Sequence, residues 1–507
     1  MATPIPINQC EFPIAEVVEA TGGTFVAANS TVSFGDGTQG ERPPVGDAVQ
    51  SGYRTGAGDS GNVRGVSIDT RSISAGSIFV ALRGEALDGH AYLPQAAARG
   101  AVAAIVEIGR RHPALDCIEV EDTLAALGRL ARRRLVRTRT ARTLPLIAIG
   151  GAVGKTSTKE LTAAVVRALF GSTLSTPGNL NNLIGVPMTI FTLNGEHRAA
   201  VLECGTNTRG EIPKLAQIVE PDVAMVLNVD LEHSEGLGTL DDIADEEAAL
   251  FSTAKHYAVA SADEPMVLAR VPKHLRQITF GKSPDAHVRL VSRSAGARSR
   301  IRVELAREMV SAGVEPFIEI EIALLGEAAA LNCTAAIAGV AAMRAAPLKS
   351  RDLTAIADAL GSVLPVAGRL ASTSINGIFV IDDTYNSNPR SIRAALAAAR
   401  EVADGLSARL VIAMGDMLEL GDQSAAAHQQ AIRDVMSAKP AAFIAVGSEM
   451  NSARSIVSRD VNTTDMLTAP DSIAATGIIA GLVRPGDVLL VKGSRGIAME
   501  RIIERLG

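Results

Sequence analysis

Short apolar runs that end in a small or polar residue recur along this chain, separated by stretches with helical periodicity. Examples are "LIAIG" (146–150), "AAVLE" (199–203) and "IFVIDD" (378–383). Continuous apolar runs of this length, alternating with helices, predict strands that are buried on both faces of a parallel sheet. We therefore predict an α/β protein, with its ligands beyond the carboxyl ends of these strands.

The distribution of these runs predicts three α/β domains, at residues 1–142, 143–346 and 347–507. Residues 28–64 lack hydrophobic periodicity and are rich in Gly, Ser, Thr and Asp, so they are predicted to form a flexible insertion. The basic run "ARRRLVRTRTAR" (131–142) is interpreted as an exposed helix end and a linker, because the rest of the chain is acidic.

The composition argues against several classes of protein. The net charge of −6 gives no reason to expect a nucleic-acid partner. The four cysteines are far apart and form no Cys-x-x-Cys pair, which predicts a reducing cytoplasm and argues against a structural zinc site. No run reaches the roughly 18 apolar residues of a membrane span, and the first residues lack the pattern of a secretory signal.

The segment "IAIGGAVGKTSTKE" (147–160) is typical of a loop that binds phosphate. Gly151 and Gly154 allow the backbone amides to turn inward, and a helix starting near Lys155 directs its N-terminal amides at an anion. Lys155 would supply positive charge to the β- and γ-phosphates of ATP, and the Thr156 hydroxyl suits Mg²⁺. The residues expected to contact ATP in this loop are Gly151, Ala152, Val153, Gly154, Lys155, Thr156 and Ser157.

The loop and seven further segments resemble the Mur ligase family, which forms amide bonds with ATP in peptidoglycan synthesis. The segments are "SIDTRSISAGSIFVALRGEALDGH" (67–90), "TPGNLNNLIGVPMT" (176–189), "LECGTNTRGEI" (202–212), "LNVDLEHSEGLG" (227–238), "DDTYNSNPRSI" (382–392), "MGDMLELGDQSAAAH" (414–428) and "VKGSRGIAMERI" (491–502). The resemblance implies an N-terminal UDP-substrate-binding domain, a central P-loop domain with a parallel sheet, and a C-terminal Rossmann-like domain.

The resemblance also implies a reaction. ATP would phosphorylate the carboxylate of UDP-N-acetylmuramoyl-tripeptide, and the amine of D-alanyl-D-alanine would attack the acyl phosphate. A sister ligase that adds a single amino acid would be expected to carry an Asp-Asn-Pro-Arg motif in its last domain, and none is present. The expected partners are therefore these two small molecules, used by a cytoplasmic enzyme that we take to be a monomer.

Two Mg²⁺ ions are implied by the same family pattern. Thr156 and Glu203 are expected to hold the first ion, and His233 and Glu247 the second. The predicted catalytic set is Lys155, Glu203, His233 and Glu247. Because phosphoryl transfer depends on positioning and electrostatics, their role would be to let an anionic carboxylate approach the γ-phosphate.

Several positions depart from the family pattern. Gly150 stands where the family has Thr, Ala152 where Ser is common, and Ala328 where many relatives have His. At the position of Glu247 the family has a lysine whose carbamate binds the second Mg²⁺. Since a glutamate already carries a carboxylate, we predict that Glu247 replaces the carbamate. The alternative is that Glu247 belongs to an acidic, solvated helix face.

The remaining candidates are carried over from the resemblance. Asn332 is expected beside the adenine, Arg369 at an ATP phosphate and Asp383 at the ribose hydroxyls, although Asp383 could instead be a turn residue after its strand. The expected substrate-binding residues are Asp69, Thr70, Arg71, Asp88, Gly89 and His90 for the uridine nucleotide, and Asn179, Asn181, Asn182, Tyr385, Asn386 and Asn388 elsewhere. An Asp-Thr-Arg triplet can also serve only to satisfy turn amides.

Two other functions stay open at this point. One is a different amino-acid ligase of the same family. The other is a nucleotide-binding interaction protein without activity, which the altered positions would suggest. The retention of Lys155, Thr156, Glu203 and His233 favours an enzyme. The sequence does not say whether the tripeptide ends in meso-diaminopimelate or in lysine.

Overall fold

The computed structural model describes residues 3–28, 61–231, 234–296, 298–457 and 465–507. The chain divides into two compact units. The N-terminal unit contains Met1–Arg142 together with Leu183–Gly195, and the second unit contains Thr143–Asn182 together with Glu196–Gly507. The predicted α/β class is confirmed, because parallel sheets occur in both units.

The strands are short and are named in chain order. They are β1 (Glu11–Pro13), β2 (Thr24–Val26), β3 (Asn62–Arg64), β4 (Val66–Ser67), β5 (Ile78–Val80), β6 (Ala103–Glu107), β7 (Asp116–Val120), β8 (Leu146–Gly150), β9 (Thr173–Ser175), β10 (Ala199–Glu203), β11 (Val223–Val226), β12 (Tyr257–Ser261), β13 (Arg276–Gly281), β14 (Val288–Arg293), β15 (Ser299–Leu305), β16 (Phe317–Ile322), β17 (Ala371–Ile375), β18 (Ile378–Asp383), β19 (Leu410–Gly415), β20 (Ala442–Val446), β21 (Asp465–Ala469) and β22 (Val488–Lys492).

The α-helices are likewise named in chain order. They are α1 (Ile14–Thr21), α2 (Leu93–Ala98), α3 (Thr123–Ala141), α4 (Lys155–Phe170), α5 (Gly185–Phe191), α6 (Glu211–Val219), α7 (Ser234–Leu237), α8 (Leu240–Ala248), α9 (Pro265–Leu268), α10 (Gly326–Arg344), α11 (Ser350–Gly361), α12 (Pro389–Gly405), α13 (Ser424–Ser437), α14 (Ser448–Val457), α15 (Ser472–Leu482) and α16 (Glu500–Leu506).

The N-terminal unit is built on a five-stranded sheet in the order β2-β7-β6-β5-β4. Strands β4 to β7 are parallel, and β2 is antiparallel to β7. Helix α5, which lies far along the chain, packs on α3 of this unit. The segment 183–195 therefore belongs to the N-terminal unit, although the residues on either side of it in the sequence belong to the second unit. It contributes α5 to the N-terminal unit.

The predicted insertion at residues 28–64 is wrong at its C-terminal end. Asn62–Arg64 forms β3, which pairs antiparallel with β1, and Val63 is fully buried. Residues 29–60 of the predicted insertion lie outside the described residues. The sequence pattern did not predict β3, because a strand of only three residues has too little periodicity to be distinguished from the Gly- and Ser-rich stretch before it.

The basic run 131–142 is helical as predicted, but its interpretation as a linker is wrong. Helix α3 extends to Ala141. Arg133 and Arg137 contact the two carboxylate oxygens of Glu16 at 3.0 and 2.7 Å. Arg134 donates to the carbonyl oxygen of Leu193 at 2.6 Å, and its burial lowers its pKa. These arginines therefore hold α1 and the segment 183–195 against α3.

The central part of the second unit is a nine-stranded sheet in the order β16-β15-β14-β13-β12-β11-β8-β10-β9. It is parallel from β9 to β14, and β15 and β16 extend it antiparallel. The strands expected from "LIAIG" and "AAVLE" are confirmed. The antiparallel extension is absent from the sequence-based prediction, because its strands alternate apolar and charged residues and bury one face only.

Helix α10 is long and apolar enough, by length and composition, to cross a membrane. In this fold about two thirds of it is buried inside the protein. Cys333, Ile337 and Val340 are fully buried in the core formed with the sheet and α4. The apolar character of α10 is accounted for by this central position.

The C-terminal part of the second unit is a six-stranded sheet in the order β17-β18-β22-β19-β20-β21, parallel except for β17. One face is covered by α12, α13 and α14, and the other by α15 and α16. Helix α11 follows the predicted boundary at 347, yet Leu353, Ile356 and Leu360 belong to the core of the central part. The boundary predicted at 347 therefore precedes a helix that packs with the central sheet.

The packing of α11 can be tested with a pair of substitutions. Ile356→Ala removes a fully buried side chain from the central core and should lower the free energy of unfolding by about 2–5 kcal/mol. Leu364→Ala changes a side chain that is 76% exposed and should stay within about 0.5 kcal/mol. Urea unfolding of both variants is the measurement, and equal effects would contradict this packing.

Candidate functional site

The predicted phosphate loop lies between the end of β8 and the start of α4. Gly151 has φ +117° and Gly154 has φ +92°, a conformation in which a side chain is strained. Asn332 packs against the loop, because a Cβ atom at Gly154 would lie 2.7 Å from its Oδ1. The loop thus opens into α4, whose N-terminal amides and dipole favour an anion.

Asn228, two residues beyond the neighbouring strand β11, holds the loop by a reciprocal pair of hydrogen bonds. The amide of Val153 donates to Oδ1 of Asn228 at 2.8 Å, and Nδ2 of Asn228 donates to the carbonyl oxygen of Val153 at 2.8 Å. The amide of Ala152 donates to the carbonyl oxygen of Asn228 at 3.0 Å. Three contacts from Asn228 therefore hold the loop at Ala152 and Val153.

Glu247 contacts the loop from α8. Its side chain is only 1% exposed, and Oε2 accepts a hydrogen bond from the amide of Gly151 at 2.6 Å. The interpretation of Glu247 as part of a solvated acidic face is therefore wrong. Its neighbour Glu246 is also buried, but it accepts the amides of Gly210 and Ile212 at the start of α6.

Thr156 and Glu203, the predicted ligands of one Mg²⁺, are in contact. The Thr156 hydroxyl donates to Oε1 of Glu203 at 3.0 Å, and Nδ2 of Asn181 donates to the same oxygen at 2.8 Å. Glu203 is 1% exposed, and its Oε2 has no hydrogen-bond partner among the described residues. A buried carboxylate oxygen without a partner is costly in an apolar surrounding, so the position favours a cation.

Lys155 turns back over its own loop. Its ammonium group donates to the carbonyl oxygens of Gly151 at 2.6 Å and Ala152 at 3.1 Å. The positive charge therefore lies over the loop that faces the expected phosphates.

The C-terminal part contributes a second group of charges at strand ends. Asp383 and Lys492 are paired across β18 and β22, and the ammonium of Lys492 donates to Oδ2 of Asp383 at 2.6 Å and to the carbonyl oxygen of Asn386 at 2.9 Å. Oδ1 of Asp383 accepts the amide of Leu370 at 3.1 Å. A carboxylate has about four acceptor positions, so Asp383 retains capacity for a ligand hydroxyl.

Arg369, Tyr385 and Asn388 line the same cavity as this pair. The guanidinium of Arg369 lies 4.0 Å from the centre of the Tyr385 ring, which stacks and orients it. The Asn388 side chain accepts the amide of Ser391 at 2.8 Å and caps α12. Asn388 therefore shapes the loop in which Asn386 lies.

One cavity of about 480 Å³ within the second unit brings these groups together. The predicted site residues that line it are Ala152, Val153, Gly154, Lys155, Thr156, Ser157, Asn179, Asn181, Asn182, Glu203, Asn332, Arg369, Asp383, Tyr385, Asn386 and Asn388. Ala328, at the position where many relatives have His, also lines it. Gly151 and Glu247 are in contact with each other behind the loop, and His233 lies outside the described residues.

Comparisons with known proteins identify the family of this chain. Sequence models of three Mur ligase domains match the chain: the family's catalytic domain at residues 62–135, its middle domain at 149–340 and its glutamate ligase domain at 368–495. The UDP-N-acetylmuramoyl-tripeptide–D-alanyl-D-alanine ligase of Bacillus subtilis is 30% identical, covering 88% of this chain and 93% of its own. The chain belongs to the Mur ligase family. It is an ATP-dependent ligase that forms amide bonds.

Two further relatives align with most or nearly all of this chain. The enzyme of Escherichia coli with the same name is 32% identical, over 87% of this chain and 93% of its own. A crystal structure of MurF from Acinetobacter baumannii superposes with a TM-score of 0.80 at 26% identity, covering 99% of both chains. The predicted three-domain Mur ligase fold is thereby confirmed.

The uridine candidates of this Mur ligase all lie in the N-terminal unit. Asp69 and Arg71 form an exposed ion pair at 2.7 Å, and the Arg71 guanidinium lowers the pKa of Asp69. Thr70 is buried and donates to Gln95 at 2.5 Å. Asp69 and Arg71 are therefore accessible groups, whereas the Thr70 hydroxyl is used inside the protein.

Asp88, Gly89 and His90 form a tight turn of the same unit. His90 is buried, with Nδ1 at 2.7 Å from Oδ1 of Asp88 and Nε2 accepting the amide of Glu107 at 2.9 Å. The amide and ring of His90 lower the pKa of Asp88. Both ring nitrogens of His90 are thus bound within the protein, so His90 shapes this turn.

Lys492 is the main site residue that the sequence-based prediction missed. It occurs in the quoted segment "VKGSRGIAMERI", where it received no role. Its signal was present, because Lys492 and Asp383 end neighbouring strands in register. Further unassigned groups in the cavity wall are Asn207, Glu211, Glu419 and Arg495.

Lys492→Met should leave the buried Asp383 carboxylate without its cation. We expect the free energy of unfolding to fall by about 3–5 kcal/mol, the usual cost of breaking a buried ion pair on one side. The double variant Asp383→Asn with Lys492→Met removes both charges and should recover most of this loss. Urea unfolding measures both, and additive losses in the double variant would contradict the pairing.

Proposed function

We propose that this Mur ligase adds D-alanyl-D-alanine to UDP-N-acetylmuramoyl-tripeptide, producing the pentapeptide, ADP and phosphate for peptidoglycan biosynthesis. The main support is the cavity whose wall contains the phosphate loop and the Thr156–Glu203 pair together with Arg369 and Asp383. Relatives that match over at least nine tenths of their own length carry the name of this activity. Four free, buried cysteines fit a cytoplasmic location, where we take the enzyme to act as a monomer.

The first step joins two anions. A carboxylate oxygen of the tripeptide attacks the γ-phosphorus of ATP, and the bond to the β-phosphate oxygen breaks to release ADP. The loop amides and the Lys155 ammonium hold the phosphates in place and offset their charge. Arg369, stacked on Tyr385, faces the same cavity and would contact a phosphate, while Asp383 would accept ribose hydroxyls.

The second step forms the amide. The amine of D-alanyl-D-alanine attacks the acyl carbon, phosphate leaves, and the nitrogen loses a proton. Asn181 and Asn182 on the central side and Asn386 on the C-terminal side supply amide groups that would orient these substrates. Because residues of both the central and the C-terminal parts of the second unit line this site, it can exclude water from the acyl phosphate. Hydrolysis of the acyl phosphate would waste ATP.

Magnesium fits the residues present. Oε2 of Glu203, which has no hydrogen-bond partner in the part of the chain that the structure describes, and the adjacent Thr156 hydroxyl are oxygen groups of the kind that Mg²⁺ prefers. We propose that these two residues hold one ion and that Glu247 with His233 holds a second. When bound, the ions would offset the negative charge of the phosphates and the carboxylate. Asp69, Arg71 and their neighbours are proposed for the uridine nucleotide.

A phosphate-release assay tests the substrate assignment. The panel contains UDP-tripeptides ending in meso-diaminopimelate or lysine, each with D-alanyl-D-alanine, other D,D-dipeptides or single amino acids. The proposal requires turnover that needs both a UDP-tripeptide and D-alanyl-D-alanine, with the pentapeptide identified by mass. Turnover with a single amino acid instead would indicate a sister ligase, and nucleotide binding without any turnover would indicate an inactive interaction protein.

Lys155→Ala should reduce turnover by at least about 100-fold, because one pre-positioned charge that stabilises a transition state contributes on this scale. The fold should be retained, since Lys155 is at the cavity and not in the core. Lys282→Ala is the matched control, because Lys282 forms an exposed pair with Glu327. Turnover within a factor of two of the unaltered enzyme in the Lys155 variant would contradict this role.

A further inference from the structure

Two of the positions that depart from the family pattern, Gly150 and Glu247, are in contact. A Cβ atom at Gly150 would lie 3.0 Å from Oε2 of Glu247 and 3.2 Å from Cδ2 of Leu250, which is tighter than ordinary packing. The same Oε2 accepts the amide of Gly151 at 2.6 Å. One carboxylate oxygen thus lies against both Gly150, the last residue of β8, and Gly151, the first residue of the loop.

A side chain at position 150 would compete with this arrangement. Gly150 ends β8 and is buried, so a threonine, the residue that the family resemblance leads one to expect here, would push on the Glu247 carboxylate or on Leu250. The backbone of Gly150 has no positive φ, so its lack of a side chain is explained by space and not by conformation. Gly150 and Glu247 therefore form a matched pair.

The hydrogen bond to Glu247 gives the buried amide of Gly151 an acceptor. Gly151 has φ +117°, and its amide lies in a buried position where an unpaired donor is costly. A carboxylate accepts such an amide more strongly than a neutral group does. Without this acceptor, the amide of Gly151 would have to turn toward another partner, and the loop that leads to Lys155 would change its path.

We propose that Glu247 is a positioning residue that holds the phosphate loop in its nucleotide-binding conformation through the Gly151 amide, and that this use of Glu247 requires glycine at position 150. The role is independent of any metal that Glu247 helps to hold. It rests on the proposed function only in taking a nucleotide phosphate as the ligand of the loop.

Binding of ADP without metal, in excess EDTA, tests this role by isothermal titration calorimetry. Glu247→Ala removes the acceptor and should weaken ADP binding by about 10- to 100-fold, the range for a hydrogen bond to a charged group. Glu247→Gln keeps an acceptor oxygen at the same position and should stay within about threefold of the unaltered protein. A residue that acts only as a metal ligand would leave metal-free binding unchanged in both variants.

Glu246→Ala is the matched control for these variants. Glu246 is the adjacent buried glutamate and also accepts backbone amides, but those amides belong to the start of α6. The Glu246 variant should be destabilised toward urea and should still bind ADP as the unaltered protein does. Equal weakening of ADP binding by Glu246→Ala and Glu247→Ala would overturn the proposal, because it would indicate general loosening of α8.

Gly150→Ala provides a second test that does not remove Glu247. It should weaken metal-free ADP binding by about 3- to 10-fold when Glu247 is present, and it should add no further loss when combined with Glu247→Ala. If the losses of ADP affinity from Gly150→Ala and Glu247→Ala multiplied in the double variant, the proposal that Gly150 and Glu247 form a matched pair would be overturned. Failure of the ligase assay would leave these binding results intact, so the two proposals can fail separately.

Discussion

The site depends on how the backbone of the short loop Gly151–Gly154 is held, because three successive amides of this loop donate to Glu247 and Asn228. Glu247 accepts the amide of Gly151, and Asn228 binds the loop at Ala152 and Val153. These partners come from the segment just after β11 and from α8, which both follow the loop along the chain. Because buried amides require acceptors, the packing of both elements determines which amides remain directed toward a ligand.

Charged groups in the rest of the cavity are held in a similar way, at the ends of parallel strands. Glu203 ends β10 beside Thr156, and Asp383 and Lys492 end β18 and β22 in register. A charge at such a position is carried by a rigid strand and still reaches solvent or ligand at the sheet edge. Reactions that bring anions together benefit from charges placed in this way before the substrates arrive, since little reorganisation is then required.

Residue patterns could predict those features that depend on neighbours in the chain. The strand before the loop and the helix after it follow from hydrophobic periodicity and from the glycines between them, whereas the association of Thr156 with Glu203 was implied by the resemblance to the Mur ligase family. Other features depend on partners that are distant in sequence. The strand Asn62–Arg64 exists because it pairs with β1, and α5 packs with α3 across a long separation along the chain. Short elements of this kind have too little periodicity of their own to be identified.

The sequence by itself determined the α/β class, the phosphate loop and the types of residue that the chemistry needs, because these features depend on the spacing and the side-chain chemistry of residues that are close together in the chain. Only the tertiary structure decided which acidic residues act together. Glu246 and Glu247 are adjacent and identical in type, yet one caps a helix and the other holds the phosphate loop. Their different roles arise because successive residues of a helix point in directions about 100° apart, toward different neighbours.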